Sequence, residues 1–354
     1  MSRYKLEEFI SYEQPAKYIV DSDQYDDSYE IPVLTAGKSF ILGYTDEKNN
    51  LFDDLPVIIF DDFTTSVQFV DFPFKVKSSA MKLLKNTEQA DIKYCYYLLK
   101  FLQHTPENHK RQWLSATSQN TVELPTIEEQ KNIVKKLDKI LEVIDNQNKQ
   151  LELLDEAIKA RFVEMFGNPA NNPYNFSKMK LGKICDVRDG THDSPKYQTV
   201  GYPLITSKNL TSGEIDFSNC NYIKEEDYKK INLRSEVTRG DIIMPMIGTI
   251  GNPIIVNTDI RFAIKNVALI KFNNNTLQNI YVKYFLGSDY FDFSVLRNIR
   301  GGTQKFIALK DLRDLDILVP PLELQNQFTS FVQEIDKSRL LNNHSLFLIK
   351  FITF

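Results

Sequence analysis

The stretch Arg297, Arg300, Gly301, Gly302, Thr303, Gln304 and Lys305 sets two guanidinium groups and an ammonium around a pair of glycines. Glycine lets backbone amides come close to an anion, and arginine neutralises phosphate or pairs with guanine. A solvated loop is the competing reading. Gly190, Thr191, His192, Asp193, Ser194 and Pro195 bring hydroxyls, an imidazole and a carboxylate together in six residues. Such a loop can hydrogen-bond phosphates and base edges, or it can be a turn in which Asp193 and Ser194 cap their own backbone. His109, Lys110 and Arg111, followed by Trp113, form a second basic cluster, or equally a solvated charge run. Lys75, Lys77, Lys82 and Lys85 form a basic patch if they share one face, and are ordinary surface lysines otherwise. Thr35-Ala36-Gly37-Lys38 and Thr206-Ser207-Lys208-Asn209 each end a strand-like run with small polar residues and a lysine, as a shared functional loop or a shared turn would. Gly248-Thr249-Ile250-Gly251 can approach a sugar-phosphate backbone or close a tight hairpin.

The same residues do not support catalytic chemistry. An adenine methylase needs an Asn-Pro-Pro-Tyr-like loop and a glycine-rich cofactor loop after a strand. Asn171-Asn172-Pro173-Tyr174 and Asp71-Phe72-Pro73-Phe74 each come within one residue of the former, but neither accompanies the latter. No Walker loop is present. His104, His109, His192 and His344 show no metal-ligand spacing with cysteine. The expectation is a binding protein with no cofactor or metal of its own.

The elements that would position these loops occur twice. Leu124-Pro125-Thr126-Ile127-Glu128-Glu129-Gln130 and Val319-Pro320-Pro321-Leu322-Glu323-Leu324-Gln325 each break a preceding structure and start a long helical pattern. Upstream, Tyr4-Lys5-Leu6-Glu7-Glu8-Phe9 matches Met179-Lys180-Leu181-Gly182-Lys183-Ile184, and Ile31-Pro32-Val33-Leu34-Thr35 matches Tyr202-Pro203-Leu204-Ile205-Thr206. The period is too long for a solenoid and implies two globular units, each followed by a helix. Leu55–Phe60, Val67–Phe72, Asp241–Gly248 and Val267–Phe272 read as strands, and Asp91–Leu102 as a helix.

Ile133, Leu137, Ile140, Ile144, Gln147, Leu151, Leu154, Ile158, Arg161 and Met165 alternate by four and three, the period of a coiled-coil seam. Leu324, Phe328, Phe331, Ile335, Ser338, Asn342, Ser345, Ile349 and Ile352 repeat the pattern. Gly167 and Pro169 stop the first helix. Forty residues make a rod of ~60 Å, and two such helices related by a pseudo-twofold axis pack antiparallel. The predicted fold is α/β (α+β), with two globular units separated by two long antiparallel coiled-coil helices. Its boundaries are 1–123, 124–168, 169–318 and 319–354.

A chain of 354 residues, 42% hydrophobic and 25% charged, is globular and long enough for two or three cores. The net charge of -4 is unusual for a nucleic-acid binder, but it is unevenly spread. Residues 1–123 hold 13 Lys and Arg against 19 Asp and Glu, whereas residues 167–318 hold 20 against 16. The second unit is therefore locally basic. Cys95, Cys185 and Cys220 form no CxxC pair, which suits reduced thiols and a cytoplasmic location. No signal-like leader and no apolar run of membrane-spanning length is visible.

Taken in order along the chain, these features resemble the specificity (S) subunit of a type I restriction-modification system. The helix starts at Pro125 and Pro320, the Gly190–Pro195 loop and the Arg300–Lys305 stretch carry the resemblance. In the first unit, Phe60-Asp61-Asp62-Phe63-Thr64-Thr65 and Phe74-Lys75-Val76-Lys77-Ser78-Ser79-Ala80 look like one common type of target recognition domain. The resemblance covers nearly the whole chain. It implies two target recognition domains, each reading half of an asymmetric split sequence in double-stranded DNA. It also implies a helical spacer that docks two methyltransferase (M) subunits, joined by restriction (R) subunits. S-adenosylmethionine would then belong to the M partners, and ATP and Mg to the R partners. Half-sites one DNA turn apart lie ~34–36 Å from each other, within the reach of such a rod. The segment Ser345–Phe354 departs from the pattern, being more apolar and shorter than the family's distal helix. It leaves distal M docking open and offers a surface for self-association. A stand-alone methylase or nicking enzyme, and a coiled-coil scaffold, are the alternatives from other classes.

Overall fold

The computed structural model describes residues 3–37, 39–106, 111–210, 213–248, 250–273, 276–296 and 306–353, without the side chains of 292, 295, 296 and 341–353. The chain divides into two compact units, Met1–Asp145 and Asn146–Ile352, and the division falls inside one long helix, Ile127–Phe166.

In the first unit a four-stranded sheet runs in the order Ile10–Glu13, Met81–Asn86, Val57–Asp61, Val67–Val70, with every neighbouring pair antiparallel. A three-stranded sheet follows the order Ile41–Thr45, Ile31–Leu34, Lys75–Val76, its first pair antiparallel and its second parallel. A two-stranded ribbon pairs Arg3–Lys5 with Thr121–Glu123. The second unit repeats the plan. Its four-stranded sheet is Asp186–Asp189, Val267–Lys271, Ile242–Pro245, Ile254–Ile255. Its three-stranded sheet is Asn221–Ile223, Tyr202–Ile205, Ala263–Ile264, again with one antiparallel and one parallel pair. Its ribbon pairs Ser177–Lys180 with Asp316–Val319. Strands matched by sequence, such as Ile31–Leu34 and Tyr202–Ile205, occupy equivalent places in the two plans. The internal duplication is thus a duplication of topology.

Each unit joins its long helix through the same glutamine. Thr126 and Glu129 form a reciprocal capping box, with Glu129 Oε2 accepting from the Thr126 amide at 2.9 Å. One residue on, Gln130 is fully buried. Its Oε1 accepts from the Asp91 amide at 2.8 Å, and its Nε2 donates to the carbonyls of Gln89 at 3.1 Å and Pro125 at 2.9 Å. Gln325 is equally buried and repeats all three bonds, with the Gln278 amide at 2.8 Å, Thr276 O at 3.1 Å and Pro320 O at 2.8 Å. Asp91 and Gln278 are the N-caps of shorter helices, Ile92–Phe101 and Asn279–Leu286. A buried amide with all its bonds made is stabilising and directional, so it sets the angle at which each long helix leaves its unit.

Within the second unit, the end of Ile127–Phe166 packs against the start of the other long helix, Leu322–Thr353. Phe162 and Phe166 lie 5.5 and 5.4 Å from the Phe328 ring, Ile158 shares the core with Val332 and Ile335, and Asp155 pairs with Arg339. Rising numbers on one helix meet falling numbers on the other, so this stretch is antiparallel. Leu154 and Phe331 flank the same core, and Leu151 is half-buried. In the first unit Leu137, Ile140 and Ile144 keep the seam spacing and are half-buried. Ile133 corrects the seam: it is exposed. There the helix instead turns Gln130 and Asp138 toward its own unit, where Asp138 meets Lys93 Nζ at 2.8 Å and accepts from the Tyr97 hydroxyl. The Ile349 side chain lies outside the described residues. Among the described residues, no helix is long and apolar enough to cross a membrane.

Candidate nucleic-acid interface

In the first unit the expected lysine patch dissolves into ion pairs. Lys75 and Lys82 lie on strands with their side chains turned inward, and both are essentially unexposed. Lys75 Nζ binds Glu47 at 2.6 Å and the Asn49 carbonyl at 3.1 Å. Lys82 Nζ binds Asp62 at 2.8 Å, and Asp62 in turn accepts from the Trp113 amide at 2.9 Å. A buried ammonium needs such a counterion, so neither lysine is available to a phosphate. The contact role anticipated for these two is therefore replaced by a structural one. Lys77 pairs with Asp23 and lies over the Tyr25 ring, and Lys85 pairs with Asp54 at 2.9 Å, so the more exposed members are also engaged.

The Asp61–Ser66 turn is held by Asp61 Oδ1, which accepts from the amides of Phe63 and Thr64 at 2.8 and 3.2 Å. Thr64 is exposed at its tip. Thr65 is buried with φ +57, and its hydroxyl donates to the His104 carbonyl at 2.7 Å, a tether rather than a free donor. Ser78 and Arg111 are exposed. Lys38, His109 and Lys110 lie outside the described residues.

The second unit presents a built cluster. Gly190 is dictated by packing: a Cβ there would stand 2.2 Å from the Ile264 carbonyl. That close approach lets the Thr191 amide donate to Ile264 O at 3.0 Å and ties one sheet to the other. The Thr191 hydroxyl accepts from the Asp193 amide at 3.1 Å, so the loop does turn, but the capping side chain is Thr191 and not the expected Asp193 or Ser194. The side chains beyond it nonetheless converge. His192 Nε2 lies 2.9 Å from Asp189 Oδ2, and Nδ1 lies 2.7 Å from Asn266 Oδ1. Both partners are acceptors, which suits an imidazolium with two N–H donors. The bonds to Asn266 and Asp189 hold the imidazole above its ordinary value. Lys265 Nζ reaches Ser194 Oγ at 2.6 Å.

Arg234 joins this cluster from the helix Glu225–Ser235, its guanidinium Nη2 donating to Asp189 Oδ1. Glu225, Glu226 and Asp227 favour the N-terminal end of that helix. Tyr228 stacks on Tyr202 at 4.0 Å, and with Ile231 it seats the helix on the three-stranded sheet. Arg188 Nη1 donates to the Arg234 carbonyl at 2.8 Å and fixes the helix end beside Asp189. Sequence reasoning found His192 and Ser194 but missed Arg234, Lys265 and Asn266, which are separated from them by some forty to seventy-five positions. No local motif announces such a meeting.

Thr206 and Asn209 play a different part from Lys208. Asn209 is buried, its Oδ1 accepting from Thr206 and its Nδ2 donating to the carbonyls of Asp216 and Asn219. It locks the loop, Ser207 is half-buried, and Lys208 is left exposed. Thr249, Arg297, Arg300, Gly301, Gly302, Thr303, Gln304 and Lys305 lie outside the described residues. Phe306, the residue that follows them, bridges to Ile247. Among the described residues no His, Cys, Asp and Glu group is arranged to hold a metal.

The type I restriction modification DNA specificity domain model matches residues 173–349. The specificity subunit of the EcoR124I/EcoR124II type I restriction enzyme of Escherichia coli is 32% identical over 359 residues, covering 94% of this chain and 85% of that protein. The MjaVIII specificity subunit of Methanocaldococcus jannaschii is 24% identical, covering 74% of this chain and 67% of its own. The solved S subunit of M. genitalium superposes with a TM-score of 0.58 at 14% identity, over 99% of this chain and 93% of that one. A chain from a structural study of type I R-M complex assembly gives 0.58 at 15% identity, over 99% and 95%. Sequence identity and coverage carry the family assignment and the structural likeness carries the fold: the chain belongs to the specificity subunits of type I restriction-modification systems, the DNA sequence-recognition component rather than a catalytic one.

Proposed function

We propose that each unit reads one half of a bipartite, asymmetric double-stranded DNA target, and that the long helices dock methyltransferase subunits, which restriction subunits then join. The observation that carries this reading is the repeated plan. Two sheets, a closing ribbon and a glutamine-anchored helix occur twice with the same strand order. Two related but non-identical readers suit two different half-sites. The units also differ where readers should differ. The second carries the helix Glu225–Ser235, and the first has no helix between its corresponding strands Ile41–Thr45 and Val57–Asp61.

On this reading, S-adenosylmethionine binds the methyltransferase partners, and ATP and Mg the restriction partners, while this chain supplies the address. Long-read methylation sequencing of a host expressing the chain with a cognate methyltransferase subunit tests it. A split, asymmetric adenine-methylated motif is expected. Methylation of a continuous palindrome, or methyl transfer by the purified chain alone, overturns it.

A further inference from the structure

We infer that Arg234 and Lys265, set around the Asp189–His192 pair, form a phosphate-contact site for the DNA backbone on the second unit. The inference rests on the DNA-reading role proposed above and identifies where that unit grips its ligand.

The site is assembled from three directions. Strand Asp186–Asp189 ends in a carboxylate with only 7% of its side chain exposed. The loop after it supplies His192, the helix Glu225–Ser235 supplies Arg234, and the end of strand Ala263–Ile264 supplies Lys265 and Asn266. Asp189 uses its two oxygens on two different donors, one for His192 and one for Arg234. The carboxylate is thus hidden beneath, while the His192 and Arg234 side chains are each 63% exposed. Solvent, or a ligand, meets the cations and not the anion that holds them.

With His192 protonated between its two acceptors, Arg188, His192, Arg234 and Lys265 outnumber Asp186, Asp189 and Asp193 by one charge, and Asp186 is already engaged by Arg188. A surplus positive site with exposed N–H donors is what a phosphate oxygen seeks. Arg234 has one guanidinium N–H committed to Asp189, which holds the group in place and leaves its other donors for a phosphate oxygen. Lys265, tethered through Ser194, is a point charge that carries no base information. Asp189 is a positioning residue: it orients the two donors without touching the ligand.

The test uses the full chain assembled with its methyltransferase partner and a DNA duplex carrying the methylated motif. Affinity is measured from 50 to 200 mM salt for wild type, Arg234→Gln and Lys265→Gln. Loss of one phosphate contact lowers the slope of log affinity against log salt by about 0.9. Each variant's deficit relative to wild type therefore shrinks about 3.5-fold across that range. Lys265→Gln leaves the buried carboxylate's partners in place, so it reads out even if Arg234→Gln impairs folding. Arg234→Lys should recover most of the slope. The methylated motif stays the same if the contact is to phosphate. An unchanged slope in both variants overturns the site, and so does a new base preference, which would make Arg234 a base reader. A wild-type complex with no sequence preference overturns the DNA-reading role itself, and the site with it.

Discussion

Replacing Gln325 by Met keeps the length of the side chain and deletes its three hydrogen bonds. The amide of Gln278 loses its acceptor, and the carbonyls of Thr276 and Pro320 lose their donor, at a position with no solvent access. At about 1 kcal/mol net per bond the substitution costs about 3 kcal/mol. In a unit of this size that lowers the melting temperature by roughly 6–12 °C. Gln130→Met should cost the same, because its bonds to Asp91, Gln89 and Pro125 have nearly the same lengths. Amide hydrogen exchange gives the local reading. The Gln278 amide in one variant, and the Asp91 amide in the other, should exchange about two orders of magnitude faster, as about 3 kcal/mol requires. Calorimetry of both proteins completes the comparison. Retained protection at either amide, or destabilisation of one variant and not the other, refutes this expectation. In the first case water has replaced the side chain, and in the second the duplicated joint does not bear equal weight.

Lys82→Met leaves Asp62 buried without its cation and should cost about 3–5 kcal/mol. The salt dependence of DNA binding should stay unaltered, and a reduced slope would restore Lys82 to the interface. His192 is held above its ordinary value by Asn266 and Asp189. Its stabilisation is therefore full below about pH 6.5 and disappears as pH rises through the raised folded value. The urea midpoint of His192→Gln should lie below wild type at pH 5.5 and converge with it at pH 9, and a gap that persists at pH 9 refutes the protonated pair. Burial pushes the Cys95 and Cys185 thiols up to about 12. A thiolate-selective reagent should spare both in the native protein, as mass spectrometry of modified peptides would show, and rapid labelling of either contradicts the packing.

The elements that repeat were readable because repetition is itself a signal. Two proline-punctuated helix starts and two strand-like runs recur along the chain, and the matched strands fall at equivalent places in the two ribbons and the two three-stranded sheets. The helix Ile127–Phe166 was legible from its seam and its stop at Gly167, where φ is +71 and a Cβ would meet Pro173 at 2.3 Å. What the seam could not disclose was that its first turns dock on the unit before them through Gln130 and Asp138, leaving Ile133 exposed. The lysines misled for a related reason. On a strand a lysine faces out or in, and only the distant Glu47 and Asp62 make the inward choice tolerable. The cluster at His192 was half visible. Its loop is contiguous, but Arg234, Lys265 and Asn266 arrive by folding alone.

The closing ribbons, Arg3–Lys5 on Thr121–Glu123 and Ser177–Lys180 on Asp316–Val319, bring the first and last strands of each unit side by side. The chain leaves a unit where it came in, so everything between behaves as a side trip from the main path. Growth inside the excursion, as with the helix Glu225–Ser235, need not propagate to the helix that follows. New readers can be tried in such a frame without rebuilding the stem that carries them.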